Sequence, residues 1–168
     1  MGLMSEPPEA TGKTGVPSPV RQKQDRPRDR LGRPLDWDAA NELELEDYDS
    51  MTLEQNHQLG REHVRAGRYF AAHEAWETAW KQARGTDDAE LFKGLSQLGA
   101  GYVHLLRGNV HGAKTLMRRA SRRIATYPDG HHGVATTALH AKLDADADAV
   151  ERGDLVPGEH VVFEAPIV

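Results

Sequence analysis

The sequence predicts an all-α fold, a compact bundle of about five helices in antiparallel hairpins, preceded by a disordered N-terminal tail. Large apolar residues recur three and four positions apart from residue 52 onward, which places them on one face of a helix. Glycines separate these segments, as is typical of helices joined by tight turns. The tail is predicted because residues 1–35 contain six of the nine prolines and few large apolar side chains.

The composition excludes several classes of protein. The 168 residues are enough for one domain with a hydrophobic core. The net charge of −5 provides no overall attraction to nucleic acid, so a nucleic-acid partner is not expected. The chain has no cysteine, which excludes disulfides and cysteine-ligated zinc. No apolar run approaches the roughly 20 residues that span a bilayer, and the N-terminus lacks the apolar core of a signal peptide. We therefore expect no membrane partner and a cytoplasmic location.

Charge divides the chain into four predicted regions. Residues 1–35 form the basic, proline-rich tail. Residues 36–51 form an acidic linker, because positions 36–49 hold seven carboxylates and no basic residue. We interpret this change of charge as a solvated linker. Residues 52–155 form the helical bundle domain, and residues 156–168 form an extended C-terminal tail that lies on the bundle.

Local capping signals place the first two helices. The first helix begins at Thr52, because Thr52 and Gln55 have the spacing of a capping box. It is predicted to run to about residue 66, where Gly67 provides the residue that commonly follows a helix. The second helix is predicted over residues 69–84.

The remaining three helices are predicted from their apolar stripes. They cover residues 88–107, 110–126 and 137–152. The third helix also carries Gly94 and Gly101 at one edge, although glycine lowers helix stability. Two glycines at one edge therefore indicate that another backbone packs very close to this helix.

The second helix carries the residues on which the functional interpretation depends. His73, Trp76, Glu77 and Trp80 fall on one face at helical spacing. The tryptophans direct this face inward because their apolar area is too large to leave in water, and Trp80 is predicted to anchor the core. A carboxylate on such a face needs a partner, since unpaired charge in a low-dielectric site is heavily penalised.

The third helix offers partners for this face. Gln97 and His104 are two helical turns apart, so both lie along one edge. Because the second and third helices follow one another closely, they are predicted to be antiparallel. This arrangement allows Gln97 and His104 to meet His73 and Glu77 across the interface.

A weak internal repeat relates two helical hairpins. The segment that begins at Ala66 and Gly67 is matched by the segment that begins at Arg107 and Gly108. Each unit is a helix, a tight glycine turn and an antiparallel helix, and it resembles the hairpin of tetratricopeptide repeats. Two units do not form a peptide-binding solenoid, so this likeness is local.

Three motifs together resemble a known family. They are Gly67-Arg68-Tyr69-Phe70-Ala71-Ala72-His73-Glu74 with Glu77 and Trp80; Lys93-Gly94-Leu95-Ser96-Gln97 with His104; and Arg107-Gly108-Asn109 with Gly112-Ala113. In this order and spacing they resemble the family called domain of unknown function 309 (DUF309), over about residues 53–127. The resemblance implies a compact all-helical bundle of the kind found in soluble bacterial and archaeal proteins, and it implies no particular activity. The family motif falls on His73, Glu74, Glu77, Trp80, Gln97 and His104.

Three interpretations of this cluster stay open. In the first, the side chains form a buried hydrogen-bond network that fixes helix register. In the second, they line a pocket for a small ligand or a partner's side chain, with Trp76 and Trp80 as walls. In the third, His73, Glu77 and His104 hold a divalent metal as a cofactor.

Known metalloenzyme patterns limit the third interpretation. The zinc-protease signature H-E-x-x-H needs a second histidine where this sequence has Glu77. The paired Glu-x-x-His motifs of di-iron bundles do not occur in it. Glu74 lies nearer the rim and is the candidate general base if a water molecule is activated. His131 and His132 are interpreted as a solvated loop pair.

We therefore expect a binding or interaction module built around a buried His/Glu/Trp cluster. Its binding residues would be His73, Glu74, Trp76, Glu77, Trp80, Gln97 and His104. The partner would be a protein or a small molecule that the pattern does not specify. The alternative is a metal-assisted hydrolase that uses the same cluster, with Glu74 as its catalytic base.

Overall fold

A computed structural model describes residues 25–168, and the predicted disorder of residues 1–24 lies outside the described residues. Within residues 25–168 the chain forms five α-helices and no β-strand. The helices are α1 (Leu53–Arg65), α2 (Tyr69–Ala83), α3 (Ala89–Leu106), α4 (Val110–Ile124) and α5 (Thr136–Arg152). The predicted all-α fold is confirmed. None of the helices in this described range is long and apolar enough to cross a bilayer.

The predicted capping box defines the start of α1. The Thr52 side chain accepts a hydrogen bond from the Gln55 amide at 3.2 Å, and the Gln55 side chain accepts one from the Thr52 amide at 2.9 Å. At the other end, Gly67 has a φ of +71°, a left-handed conformation that glycine adopts without steric cost. Capping bonds are local in sequence, and for that reason the predicted helix ends lie within two residues of the observed ones.

The central helix of the bundle is α3. It packs against both α2 and α4, while α1 packs on α2 and α5 packs on α4. Its fully buried residues are Leu91, Phe92, Leu95, Leu98, Tyr102 and Leu105. Short turns join α1 to α2, α2 to α3 and α3 to α4, whereas a longer loop, residues 125–135, joins α4 to α5. The bundle is a row of antiparallel hairpins with its core on both sides of α3.

Glycines allow α3 to approach both of its neighbours. A Cβ atom at Gly94 would lie 3.1 Å from Ile124 Cγ1, so the predicted glycine edge faces α4. The approach to α2 occurs at a different glycine, Gly99, where a Cβ atom would lie 2.8 Å from the backbone nitrogen of His73. The second contact is closer and involves main chain on both sides, so it fixes where α2 crosses α3.

The tryptophan that anchors the core is Trp76. Its side chain is fully buried, whereas Trp80 is only partly buried. Trp80 lies beneath two cations, with the Arg84 guanidinium 5.1 Å and the Lys93 ammonium 5.0 Å from its ring centroid. The prediction that Trp80 anchors the core is wrong, because α2 is rotated so that the Trp76 indole packs on α1 beside His57 and Gly60, whereas Trp80 reaches the boundary with solvent.

Residues 25–35, which the sequence assigns to the disordered tail, are packed on the bundle in the structure. Leu31 is only 5% exposed. The Asp29 carboxylate accepts hydrogen bonds from the amides of Leu31 at 2.9 Å and Arg33 at 2.8 Å. Arg107 at the end of α3 donates to the Leu31 carbonyl at 3.1 Å. These bonds satisfy the backbone of a segment whose composition alone indicates disorder.

The acidic segment also contacts the bundle at its C-terminal end. Tyr48 is buried, and its hydroxyl donates a hydrogen bond to Glu46 at 2.6 Å. The same hydroxyl lies 3.1 Å from Nε2 of His63 on α1. Asn56 of α1 donates to the Tyr48 carbonyl at 3.0 Å. The solvated linker predicted for residues 36–51 is thus attached to α1 at this end.

The C-terminal residues 156–168 have no helix or strand and lie across α2 and α3. The Phe163 ring stacks on Tyr102, with centroids 5.3 Å apart and planes inclined by 14°. Phe163 also contacts Tyr69 at a centroid distance of 5.9 Å, and Val168 is buried. The Gly158 amide donates to the Leu105 carbonyl at 2.9 Å, and Arg61 donates to the Val168 carbonyl at 3.0 Å. Aromatic contacts and hydrogen bonds together hold this segment on the bundle.

The basic face of α4 is directed at acidic residues of α5. Arg118 forms ion pairs with Asp148 at 3.0 Å and with Glu151. Lys114 lies 3.4 Å from Glu151. These exposed pairs contribute little stability, but they reduce the positive potential that a phosphate-bearing partner would meet.

His57 connects the buried tryptophan to the loop before α5. The Trp76 indole donates a hydrogen bond to His57 Nδ1 at 3.1 Å, and His57 Nε2 lies 3.0 Å from the His132 carbonyl oxygen. Because a carbonyl oxygen only accepts, Nε2 carries the ring proton and Nδ1 is free to accept from the indole. This arrangement requires the neutral ring, and burial lowers the pKa of His57 accordingly.

The stability of the protein is expected to fall as the pH decreases below about 6.5, the usual histidine pKa. Burial lowers the pKa of His57 and that of His63 in the folded protein. At pH values between the lowered pKa of the folded protein and 6.5, these histidines bind protons in the unfolded chain but not in the folded chain. The stabilisation is therefore complete above the unfolded pKa and is lost as the pH falls, by up to about 1.4 kcal/mol per pH unit for each histidine.

Urea unfolding at about pH 7.5 and about pH 5.5 measures this dependence. His57→Gln is expected to reduce the difference in the free energy of unfolding between the two pH values. The matched control, His111→Asn, changes an exposed histidine of α4 and should leave this difference as it is in the wild type. An unfolding free energy that is the same at both pH values would contradict the expectation.

Candidate functional site

Three side chains of α2 converge at the half-buried edge of the α2–α3 interface. His73 Nε2 lies 3.7 Å from Glu74 Oε1 and 3.8 Å from Glu77 Oε2. One ligand atom from each residue lies within 4.8 Å of the other two. The side chains are 27%, 34% and 32% exposed. We call His73, Glu74 and Glu77 the α2 cluster.

The orientation of His73 is fixed by Ser96 on α3. His73 Nδ1 lies 3.0 Å from the Ser96 carbonyl oxygen and 3.0 Å from Ser96 Oγ. The Ser96 hydroxyl in turn donates to the His73 carbonyl at 3.3 Å. Because the carbonyl oxygen of Ser96 only accepts, Nδ1 carries the proton of the neutral ring. The lone pair of Nε2 is then directed toward the two carboxylates.

This orientation is one that metal-binding histidines adopt. Such histidines commonly donate one ring N–H to a carbonyl oxygen, which fixes the tautomer and leaves the other nitrogen free to coordinate. In the α2 cluster the free nitrogen faces two carboxylates. The nitrogen lone pair and the two carboxylates repel one another unless a cation lies among them. Lys81 Nζ lies 3.3 Å from Glu77 Oε1 and balances part of this charge from the outer side.

His104 lies across a small cavity from His73. Both histidines line this cavity, which has a volume of about 110 Å³. The Asn109 side-chain amide donates a hydrogen bond to His104 Nδ1 at 2.9 Å. Burial lowers the pKa of His104, and the positive charge of Arg107 and the neighbouring His73 lower it further. The sequence predicts a metal site of His73, Glu77 and His104, whereas the group whose ligand atoms lie within 4.8 Å of one another consists of His73, Glu77 and Glu74.

The other predicted site residues lie outside the α2 cluster. The Gln97 side-chain oxygen is buried and has no hydrogen-bond partner within residues 25–168. Trp76 lies in the core behind the cluster, and Trp80 lies beside Lys93 and Arg84. The cluster that was predicted to be buried is thus a half-buried group of three side chains beside a buried tryptophan.

Sequence reasoning missed two groups of polar residues. Ser96 was not selected, although a serine within the buried side of a helix needs a polar partner. His131 and His132 were interpreted as solvated, but both are half-buried and both hydrogen bond to the carboxylate of Asp88. Their partner is the residue before α3 and is 43 and 44 positions away in sequence, so no local sequence pattern indicates it.

Comparison with known proteins identifies a family for the middle of the chain. No curated protein and no solved structure matches the chain. Residues 58–116 match the model of a family described as Domain of unknown function (DUF309). This match extends from α1 into α4 and contains the α2 cluster, Gln97 and His104. Over residues 58–116 the chain therefore resembles the DUF309 family, as its three sequence motifs predict.

Proposed function

We propose that this protein is a binding module that holds a divalent cation between His73, Glu74 and Glu77. The observation that supports the proposal is the orientation of His73, whose Nδ1 proton is bonded to Ser96 and whose Nε2 lone pair faces two carboxylates. A cation at this point converts three mutually repelling donors into ligands.

The distances favour a cation over a hydrogen-bond network. The separations of 3.7 Å and 3.8 Å between His73 Nε2 and the carboxylate oxygens are too long for hydrogen bonds. Ligand atoms around a tetrahedral zinc with bonds of about 2.1 Å are roughly 3.4 Å apart. Small side-chain rotations bring the three groups to that spacing.

The donor set also defines the class of cation. One imidazole nitrogen with two carboxylate oxygens suits Zn²⁺ or Mn²⁺, with imidazole favouring the former and carboxylates the latter. Three protein ligands leave at least one coordination position open. Because the three side chains are half-exposed, that position faces solvent and is available to water or to an acidic group of a partner.

A metal-assisted hydrolase is the second candidate. It is favoured by His104, which lines the same cavity as His73 and could donate a hydrogen bond from Nε2, because its Nδ1 accepts from Asn109. Glu74 would serve as the general base, as the sequence suggests. The cavity of about 110 Å³ is small beside the roughly 300–1,000 Å³ of ligand pockets, so it has no room for a bound substrate of ordinary size. The binding module therefore explains the geometry better.

Calorimetric titration with zinc and with manganese tests the proposal. Glu77→Gln and His73→Asn are expected to remove one bound equivalent. Ser96→Ala removes the Oγ contact of the imidazole but keeps the carbonyl that accepts from Nδ1, so it should weaken binding by only about 10-fold. Glu44→Gln, an exposed carboxylate outside the cluster, is the matched control and should bind as the wild type does. Unchanged binding by Glu77→Gln would contradict the proposal. Turnover of a p-nitrophenyl ester by the zinc-loaded protein, lost in Glu74→Gln, would instead favour the hydrolase.

A further inference from the structure

A second cluster of metal-ligating side chains joins the start of α3 to the loop before α5. His131 Nε2 lies 2.6 Å from Asp88 Oδ1, and His132 Nε2 lies 2.9 Å from Asp88 Oδ2. All three side chains are half-buried, with 25% to 33% of their surface exposed. One ligand atom from each residue lies within 4.8 Å of the other two.

Asp88 occupies the N-cap position of α3 but does not cap that helix. Within the described part of the chain, its side chain makes no hydrogen bond to the first amides of α3. An aspartate at this position ordinarily stabilises its helix through such a bond. Both carboxylate oxygens instead point at imidazoles, and the hydrogen bonds from His132 and His131 lower the pKa of Asp88.

The backbone of the loop brings the two imidazoles to the same carboxylate. His132 has φ and ψ of 49° and 30°, a left-handed conformation that is unfavourable for a residue other than glycine. The conformation is held by bonds on both sides. His57 donates to the His132 carbonyl at 3.0 Å, and the Gly133 amide donates to the Gly130 carbonyl at 2.9 Å.

Aromatic contacts fix the two rings. His131 stacks on Tyr127 with centroids 5.2 Å apart and an angle of 23° between the planes. His132 meets Phe92 edge-on at a centroid distance of 5.3 Å. Tyr127 is itself held, because its hydroxyl donates to the Asp87 carbonyl at 2.6 Å. The rings are therefore oriented before any ligand arrives, which reduces the entropy lost on binding.

We propose that Asp88, His131 and His132 bind a divalent transition-metal ion of the zinc class. Two imidazole nitrogens and one carboxylate oxygen form a donor set that suits Zn²⁺, Co²⁺ and Ni²⁺. In the metal-free protein each Nε2 carries the proton that it donates to Asp88. On binding, the ion replaces that proton on Nε2, and each neutral ring takes up one proton from solvent on Nδ1, so the protons balance and none is released. The present separations of 2.6 Å and 2.9 Å need only open toward the roughly 3.0–3.4 Å between neighbouring zinc ligands.

This site differs from the α2 cluster in its donors and in its place. Two imidazoles favour zinc, cobalt and nickel over manganese, whereas the two carboxylates of the α2 cluster accept manganese as well. The ion would also join two parts of the bundle, because Asp88 precedes α3 and the histidines precede α5. Its effect on stability is therefore expected to be larger than that of an ion held by one helix alone.

Cobalt and zinc titrations of single-residue variants test the second site. Asp88→Asn and His131→Gln are each expected to lose one bound equivalent and at least half of the zinc-induced rise in melting temperature. His140→Gln on α5 is the matched control and should retain both. Glu77→Gln should still bind the zinc equivalent that Asp88→Asn loses. The two variants therefore show separately whether each proposed site binds zinc.

Anomalous diffraction at the zinc edge from wild-type crystals soaked in zinc keeps the test independent of variant folding. The expected result is a peak within bonding distance of both Nε2 atoms and a carboxylate oxygen of Asp88. Absence of a peak at this position, or retention of every zinc equivalent by folded Asp88→Asn, would overturn the proposal.

Discussion

Trp76→Ala is expected to lower the free energy of unfolding by about 3–5 kcal/mol. Trp76 is fully buried in the core between α2 and its neighbours. Truncation leaves a large cavity and also removes the indole N–H that His57 Nδ1 accepts at 3.1 Å. The cavity supplies most of the loss, since an ordinary hydrogen bond contributes only about 1 kcal/mol. Urea unfolding monitored by circular dichroism measures the change.

Trp80→Ala is the matched control for this substitution. Trp80 has the same size and lies one turn further along α2, but it is partly exposed and its face contacts the cations of Arg84 and Lys93. Its truncation removes less buried area, so its cost is expected to be clearly smaller than that of Trp76→Ala. Equal losses for the two variants would show that α2 is rotated from the orientation described above.

Gly99→Ala is expected to destabilise the protein by about 1–3 kcal/mol. The new Cβ atom would lie 2.8 Å from the backbone nitrogen and 2.9 Å from Cα of His73. Backbone atoms of a packed helix cannot rotate away, so α2 and α3 must separate. An alanine in a helix is favoured over glycine by up to about 1 kcal/mol, and the expected loss is what remains after this gain.

Gly101→Ala separates the steric effect from helix propensity. A Cβ at Gly101 would lie 3.1 Å from Cγ of Met117 and 3.3 Å from the Met117 backbone nitrogen, so it is less crowded than the Cβ at Gly99. Here the gain in helix propensity is expected to offset the small rearrangement, so the variant should be about as stable as the wild type. Chemical unfolding of both variants checks the pair, and a Gly99→Ala protein as stable as Gly101→Ala would refute the close crossing at His73.

The helices could be predicted because their signals are local. The capping box of Thr52 and Gln55 and the turn at Gly67 involve residues three positions apart or fewer. Rotation of a helix is not local, and it depends on which neighbour the helix packs against. Positions four apart on a helix differ by about 40° around its axis, so Trp76 and Trp80 were equally suited to the core on sequence alone.

Composition was a poor guide where a segment satisfies its own backbone. Residues 25–35 are rich in charge and proline, yet the Asp29 carboxylate binds two amides and Leu31 is buried. The composition of a segment shows how many apolar residues it can bury, but it does not show which side chains hydrogen bond to the backbone. The same limit explains why the contact between Tyr48 and His63 was not predicted.

In the candidate sites, too, contacts between residues close in sequence could be predicted and contacts between distant residues could not. His73 and Glu77 are four positions apart on α2, so the helical period brings them together, and Glu74 is the residue next to His73 in the chain. Ser96, which fixes the imidazole of His73, is 23 residues away in sequence. The histidines of the second site are 43 and 44 residues from Asp88. Contacts at such separations depend on the tertiary fold, and a single sequence does not specify them.

The protonation of the His73 ring tests the central claim most directly. Long-range ¹H–¹⁵N NMR distinguishes the two ring nitrogens, and Asp88→Asn removes the second site from the measurement. At about pH 7.5, where neutral imidazole predominates, we expect the proton on Nδ1 and an Nε2 resonance that shifts when zinc is added. A proton on Nε2 in the metal-free protein, together with a resonance that zinc leaves unchanged, would contradict a cation site at His73, Glu74 and Glu77.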